Sequence, residues 1–227
     1  MINYTAVIDI LNSEHYADKT GFFERFTDFH HETLTNCSGI GTSLFLKTLA
    51  CFLDKSIDTR EVFLSKEISQ STVFDREINS HTVIYLDFSD FNADCYEEAK
   101  EYIRRKMSDV YKHFYNYFEG DSSHRYDYRR REEVLDIIEQ HSSDTVLACS
   151  LRDLMLQFRG YETFNKERKL ALLIDNLVLL ETVAEAKGFS KEMKAFLKAY
   201  IVNDVYKYCD VFLQIGDVRE SREMFSY

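Results

Sequence analysis

Asn36, Gly39, Gly41, Thr42 and Ser43 carry the clearest chemical pattern in the chain. They lie within ETLTNCSGIGTSLFLKTLACFL, residues 32–53. Thr33, Leu34 and Thr35 form a short β-type run. A turn of small residues, Ser38 to Ser43, follows it, and then Leu44, Leu46, Lys47, Leu49, Ala50 and Leu53 recur at helical spacing. A strand, a glycine turn and a helix together can cradle phosphate, because the amides of the first helical turn point at an anion. The complete pattern is G-x-x-x-x-G-K-[S/T]. Here Asn36 stands at the first glycine, Gly41 at the second, Thr42 at the lysine and Ser43 at the hydroxyl. The frame is present and its cation is missing. On the plainer reading, Gly39 and Gly41 only make a tight strand-to-helix turn.

A second candidate is Arg125, Arg129, Arg130 and Arg131, interleaved with Tyr126 and Tyr128. Arginines among aromatics suit a nucleic-acid contact. Asp127, Glu132 and Glu133 dilute the run, so a solvated helix start with local ion pairs is the plainer expectation. Arg104, Arg105 and Lys106 either extend this patch or face water. The seven histidines are scattered without metal-ligand spacing, and no metal is assigned. Ser38, Ser150 and Cys37 lack the neighbours of a nucleophile. Tyr111 is expected in the core, and Tyr126 and Tyr128 at the surface.

The elements that must position these residues read as alternating helices and buried strands. Ile2 to Leu11 is a short helix or turn, and GFFERFTDF from Gly21 is helical. HTVIYLDF, residues 81–88, KLALLID, residues 169–175, and the run from Val211 to Ile215 are apolar enough for strands buried on both faces. Between them, helices are expected from Asp94 to Phe118, from Arg125, from Thr145 to Phe158, from Leu177 to Gly188 and from Lys191 to Asn203. Residues 60–80 read as mixed and mostly loop. The pattern predicts an α/β fold with a mainly parallel sheet flanked by helices.

The composition is 45% hydrophobic and 30% charged over 227 residues, which suits a globular chain with a full core. A net charge of −11 disfavours unspecific nucleic-acid binding. Five widely spaced cysteines without a C-x-x-C predict reduced, mostly buried thiols and a cytoplasmic setting. No apolar run is long enough to span a bilayer, and no signal peptide is read. The chain has no proline, so no Pro-rich linker divides it, and one domain over residues 1–227 is expected.

Taken in order, Tyr16-Ala17-Asp18-Lys19-Thr20, Asn36 to Ser43, VIYLDFS at 83–89, LLIDN at 172–176 and FLQIG at 212–216 resemble a known series. They are similar to the YVDKT, RPRRFGKS, PVIYLDFS, LIDEYD and FLTG segments of the bacterial AAA-ATPase-like domain often fused to a PD-(D/E)XK nuclease. The resemblance implies a P-loop NTPase-like three-layer sandwich, here without a lid or nuclease domain. It places Asp175 at the Walker B aspartate that holds Mg²⁺. It also places Asn176 where a water-activating glutamate stands, and an amide cannot act as a general base. Thr42 brings no charge to the β- and γ-phosphates, and Lys47, more than a turn further on, is not expected to replace that charge. Asp175 is expected to bond Ser43 or loop amides.

The expected function is therefore that of a pseudo-ATPase. It would act as a protein-binding regulator or inhibitor of a nucleic-acid-processing enzyme or of a full-length relative. No cofactor is expected. Two alternatives stand beside this: a residual ATP/GTP switch using ATP and Mg²⁺ without efficient hydrolysis, and a nucleic-acid binder using Arg125 to Arg131.

Overall fold

The structure, a computed structural model, describes residues 2–27, 31–35, 41–119, 128–162, 169–202 and 205–216. Its described strands are β1 (His31–Thr35), β2 (His81–Asp87), β3 (Lys169–Asp175) and β4 (Val211–Gly216). They form one four-stranded sheet in the order β1-β4-β3-β2, and every pair is parallel. The fold is α/β, as the continuous apolar runs predict: parallel strands are covered on both faces and so lose the alternation of half-exposed ones.

The chain packs as two compact units. The first comprises Met1–Ser89, Arg159–Val178 and Tyr206–Tyr227, and contains the sheet. In it, α1 (Tyr4–Leu11) is capped by the Asn3 side chain, which accepts from the Ala6 amide. Helix α2 (Thr42–Leu53) buries Leu46, Leu49, Ala50, Phe52 and Leu53. Val83 of β2, Ala171 and Leu173 of β3, and Val211 and Leu213 of β4 share its core. Those strand positions are two residues apart and lie on one face of the sheet. Phe23 anchors the cluster, with its ring 5.3 Å from Phe45 and 5.6 Å from Phe52.

The expected helix from Gly21 is a 3-10 turn, Thr20–Phe26. Residues 60–80, expected as mixed and mostly loop, contain the short helices α3 (Arg60–Phe63) and α4 (Phe74–Glu77) and a 3-10 turn at Glu67–Gln70.

The second unit comprises Asp90–Phe158 and Leu179–Val205 and is helical. Helices α5 (Tyr96–Glu119), α6 (Tyr128–Ile138) and α7 (Asp144–Glu162) precede α8 (Val178–Lys187) and α9 (Ser190–Leu197). Ile103, Met107, Tyr111, Leu151, Leu154 and Tyr200 are among its fully buried side chains. Tyr111 lies in the core as expected, donating to the Ser150 carbonyl at 2.8 Å. Arg104 does not face water: it is buried and donates to the Ser142 carbonyl and the Asp144 carboxylate. Lys100 reaches the same carboxylate at 2.6 Å.

Of the described cysteines, Cys51 and Cys209 are buried, while Cys95 is exposed and Cys149 half-buried. No described helix is long and apolar enough to cross a membrane.

Candidate functional site

Helix α2 begins at Gly41, whose φ of 87° lies in the left-handed region that favours glycine. The Gly41 carbonyl takes the first helical bond, from the Phe45 amide at 2.7 Å. Thr42 and Ser43 occupy the first turn, half-buried. Asn36 and Gly39 lie outside the described residues. So does Arg125; the backbone of Arg129 and Arg130 belongs to α6, and Arg131 is exposed there.

Beside this helix start, the sheet presents carboxylates at the carboxyl ends of its strands. Asp87 and Asp175 are register partners on β2 and β3. Both continue the strand face that carries Val83, Tyr85, Ala171 and Leu173, which is the face that shares its core with α2. Asp175 is fully buried. Its Oδ2 accepts from the Tyr85 hydroxyl at 2.9 Å, while its Oδ1 has no partner among the described residues. Of the two expected partners, Ser43 makes no bond to Asp175 and a tyrosine on the neighbouring strand donates instead, while the loop amides before Gly41 lie outside the described residues. Burial pushes the Tyr85 phenol far above its ordinary value, and Asp175 and Asp87 push it the same way.

Asp87 is differently provided. The Ser89 amide donates to it at 2.9 Å and the Asn176 side-chain amide at 3.1 Å. The Lys47 ammonium lies 3.7 Å from its Oδ2. Burial would raise the Asp87 carboxyl; the Ser89 and Asn176 hydrogen bonds and the Lys47 charge outweigh it and hold the group below its ordinary value. Asn176 has φ of 58°, a left-handed conformation that asparagine tolerates better than longer side chains do. Its side chain thus serves as a strap from the end of β3 to the end of β2.

A cavity of about 240 Å³ opens beside Gly41. Leu44, Phe45 and Thr48 of α2 line it on one side, Ile10 of α1 on another, and Tyr16 and Lys19 of the following segment on a third. Burial raises the Tyr16 phenol, and Asp18 adds to the effect. The Thr48 hydroxyl is buried without a hydrogen bond of normal geometry, although it is near enough to Tyr16 to influence its titration.

Sequence reasoning placed Asp175 and Asn176 at the strand end, and the structure puts them beside Asp87. It missed Lys47 as the partner of Asp87, a pairing across 40 positions with no local signal. It also missed the cavity, whose walls come from three separate stretches. Tyr16 to Thr20 was the one hint, as a motif without helical or strand periodicity.

Neither the search of curated proteins nor that of solved structures returned a match. The family model described as Predicted AAA-ATPase matches residues 3–215, and the chain therefore belongs to the AAA-ATPase-like family.

Proposed function

We propose that this protein is a non-hydrolysing member of its family that works by binding. The observation that carries the reading is the engagement of Lys47 and Asn176 with the same carboxylate, Asp87. In a working site a cation belongs on the phosphates and a carboxylate next to the Walker B aspartate activates water. Here Thr42 offers no charge at the phosphate position, the α2 lysine is turned to the sheet edge, and an amide holds the base position. These residues do not fit Mg·ATP hydrolysis. Asp175 retains one oxygen without a partner among the described residues, which suits a cation, while its neighbouring carboxylate, Asp87, is already engaged by Ser89, Asn176 and Lys47 and so is a poor base.

The binding partner we infer is a protein: a relative with an intact phosphate loop, or a nucleic-acid-processing enzyme whose basic channel an acidic chain can occupy. The net charge of −11 favours such a target through electrostatic complementarity. The test is phosphate release from Mg·ATP by the purified protein, with Asp175→Ala as control. Background release in both, together with co-elution with and inhibition of an intact relative, supports the proposal. Turnover that Asp175→Ala abolishes overturns it.

A second reading, a nucleotide-binding switch without hydrolysis, is favoured by the cavity beside Gly41. Amides of a helix start still attract an anion without the lysine. Titration calorimetry with Mg·ATP and Mg·GTP tests it: micromolar saturation supports it and flat traces remove it.

A further inference from the structure

The cavity beside Gly41 contains a cation that the phosphate-loop pattern does not predict. Lys19 lines it, and among the described residues its ammonium has no acidic partner. The acid next to it in sequence is already committed. Asp18 accepts from the Thr20 amide and hydroxyl at 2.9 and 2.8 Å and from the Glu67 amide at 2.7 Å. The nearby Lys66 is committed as well: its ammonium donates to the Leu11 carbonyl at 2.6 Å and lies 5.2 Å from the centre of the Tyr16 ring. Among the described residues, no carboxylate lines the cavity.

The other walls suit a ring. Tyr16 and Phe45 contribute aromatic surface, and Ile10, at 43% exposure, is an open apolar side chain on the rim. Thr48, 1% exposed, brings to an otherwise apolar wall a hydroxyl that makes no hydrogen bond of normal geometry and has the Tyr16 side chain nearby, and a poorly satisfied buried polar group is costly. A largely apolar pocket with a few convergent polar groups is the usual form of a small-molecule site. At about 240 Å³ it is smaller than the roughly 300–1,000 Å³ typical of such sites, so a compact ligand is indicated.

We infer that this cavity takes a compact, ring-bearing ligand with one anionic group, of the nucleoside monophosphate class, and that Lys19 meets the charge that Thr42 does not. The inference rests on the nucleotide-binding reading above and names its ligand. The ring lies against Tyr16 and Phe45, Thr48 bonds a polar edge of it, and the monophosphate faces Lys19 and the start of α2.

Calorimetric titration of the purified protein with AMP, adenosine, inorganic phosphate and Mg·ATP tests this, using wild type, Lys19→Ala and Thr48→Val. AMP is expected to saturate and to bind more tightly than adenosine or inorganic phosphate. Lys19→Ala is expected to weaken AMP by about tenfold to a hundredfold, the worth of one charge-assisted contact, and to leave adenosine unchanged. Thr48→Val is expected to weaken both ligands equally. A circular dichroism melt of each variant checks that it folds. Lys19 is exposed, so its substitution leaves the core untouched and is the decisive one of the two. The inference is overturned if AMP fails to saturate, if Lys19→Ala binds AMP like wild type, or if Mg·ATP binds more than tenfold tighter than AMP. Absence of AMP binding would leave the non-hydrolysing reading intact. Turnover of Mg·ATP would end that reading without altering the Lys19 result.

Discussion

Asp87 and Asp175 stand opposite each other in register at the ends of neighbouring strands, yet among the described residues only Asp87 has a cation beside it. Lys47 and Asn176 both serve Asp87, whereas among the described residues Asp175, fully buried, has only the Tyr85 hydroxyl. Within the described residues the edge thus has one compensated carboxylate and one with an oxygen unserved. That asymmetry gives each residue a different expected response to substitution.

Lys47→Met removes the ammonium from Asp87. The Asp87 carboxyl should rise toward its ordinary value, because one of the influences holding it down is gone. Lys47 and Asp87 are 34% and 25% exposed, so water and salt screen the pair, and the stability loss should stay below about 1 kcal/mol. A group with a depressed folded pKa contributes stability above its unfolded pKa and loses it as pH falls through the folded one. The variant should therefore lose part of the acid-side slope seen in wild type below about pH 4. NMR titration of the Asp87 carboxyl and urea melts at several pH values would show this; an unchanged Asp87 titration would mean that Lys47 does not act on it.

Tyr85→Phe removes the hydrogen bond to Asp175 Oδ2 and leaves both oxygens of a buried carboxylate unserved by the described residues. A hydrogen bond to a charged group is worth about 1.5–3 kcal/mol, and a loss of that order is expected in urea unfolding. In an Asp175→Asn background the same change should cost less, because no buried charge depends on the hydroxyl. Equal costs in both backgrounds would show that the two side chains are not coupled.

The sheet was legible because HTVIYLD and KLALLID are uninterrupted apolar runs, the mark of parallel strands covered on both faces. The four-residue helices at Arg60–Phe63 and Phe74–Glu77 were not, since one turn is too short to show a period of 3.6. Arg104 misled through its charge. Its position on the buried side of α5 and its partners Ser142 and Asp144, some 40 residues on, outweigh its type. At the site, the turn at Gly41 was readable from local pattern, while Asp175 and Asn176 were singled out only by the resemblance. The Lys47–Asp87 pair and the cavity were not readable, because tertiary packing alone brings their residues together.

His81 begins β2, buried and opposite Lys169 in register. Burial, then Lys169 and Lys55, push its pKa down to about 3. Glu77 lies 3.7 Å from the ring but is already held by Lys169 at 2.7 Å and by Arg76. Ser80 meets the other ring nitrogen at 3.0 Å. The native state therefore refuses a proton that the unfolded chain accepts below its ordinary value near 6.5. The contribution of the neutral ring is complete above that pH and declines as pH falls, by about 1.4 kcal/mol per unit for one proton. Between about pH 6.5 and 5.5, above the range in which ordinary carboxylates titrate, wild type should lose stability and His81→Gln should show a flatter profile. Parallel profiles from denaturant midpoints would exclude His81 as the source.

Thr42→Lys places a cation in the first turn of α2, where the proposed function has none. Without ligand it should destabilise by about 0.3–1 kcal/mol, because a positive charge opposes the helix dipole there. With Mg·ATP the same charge should raise affinity about tenfold to a hundredfold over wild type, the worth of one charge-assisted contact. On the non-hydrolysing proposal, this variant too should hydrolyse only at background, since the Asn176 amide is not a base and is bonded to Asp87. Converting Asn176 to glutamate would also strain the backbone, whose φ of 58° costs a longer side chain about 1–2 kcal/mol. Calorimetry and phosphate release on Thr42→Lys separate the two deficits. Tighter binding without turnover assigns affinity to position 42 and the chemical step to position 176. Turnover by the single variant would show that Asn176 is no obstacle, and the assignment of the base position would fall.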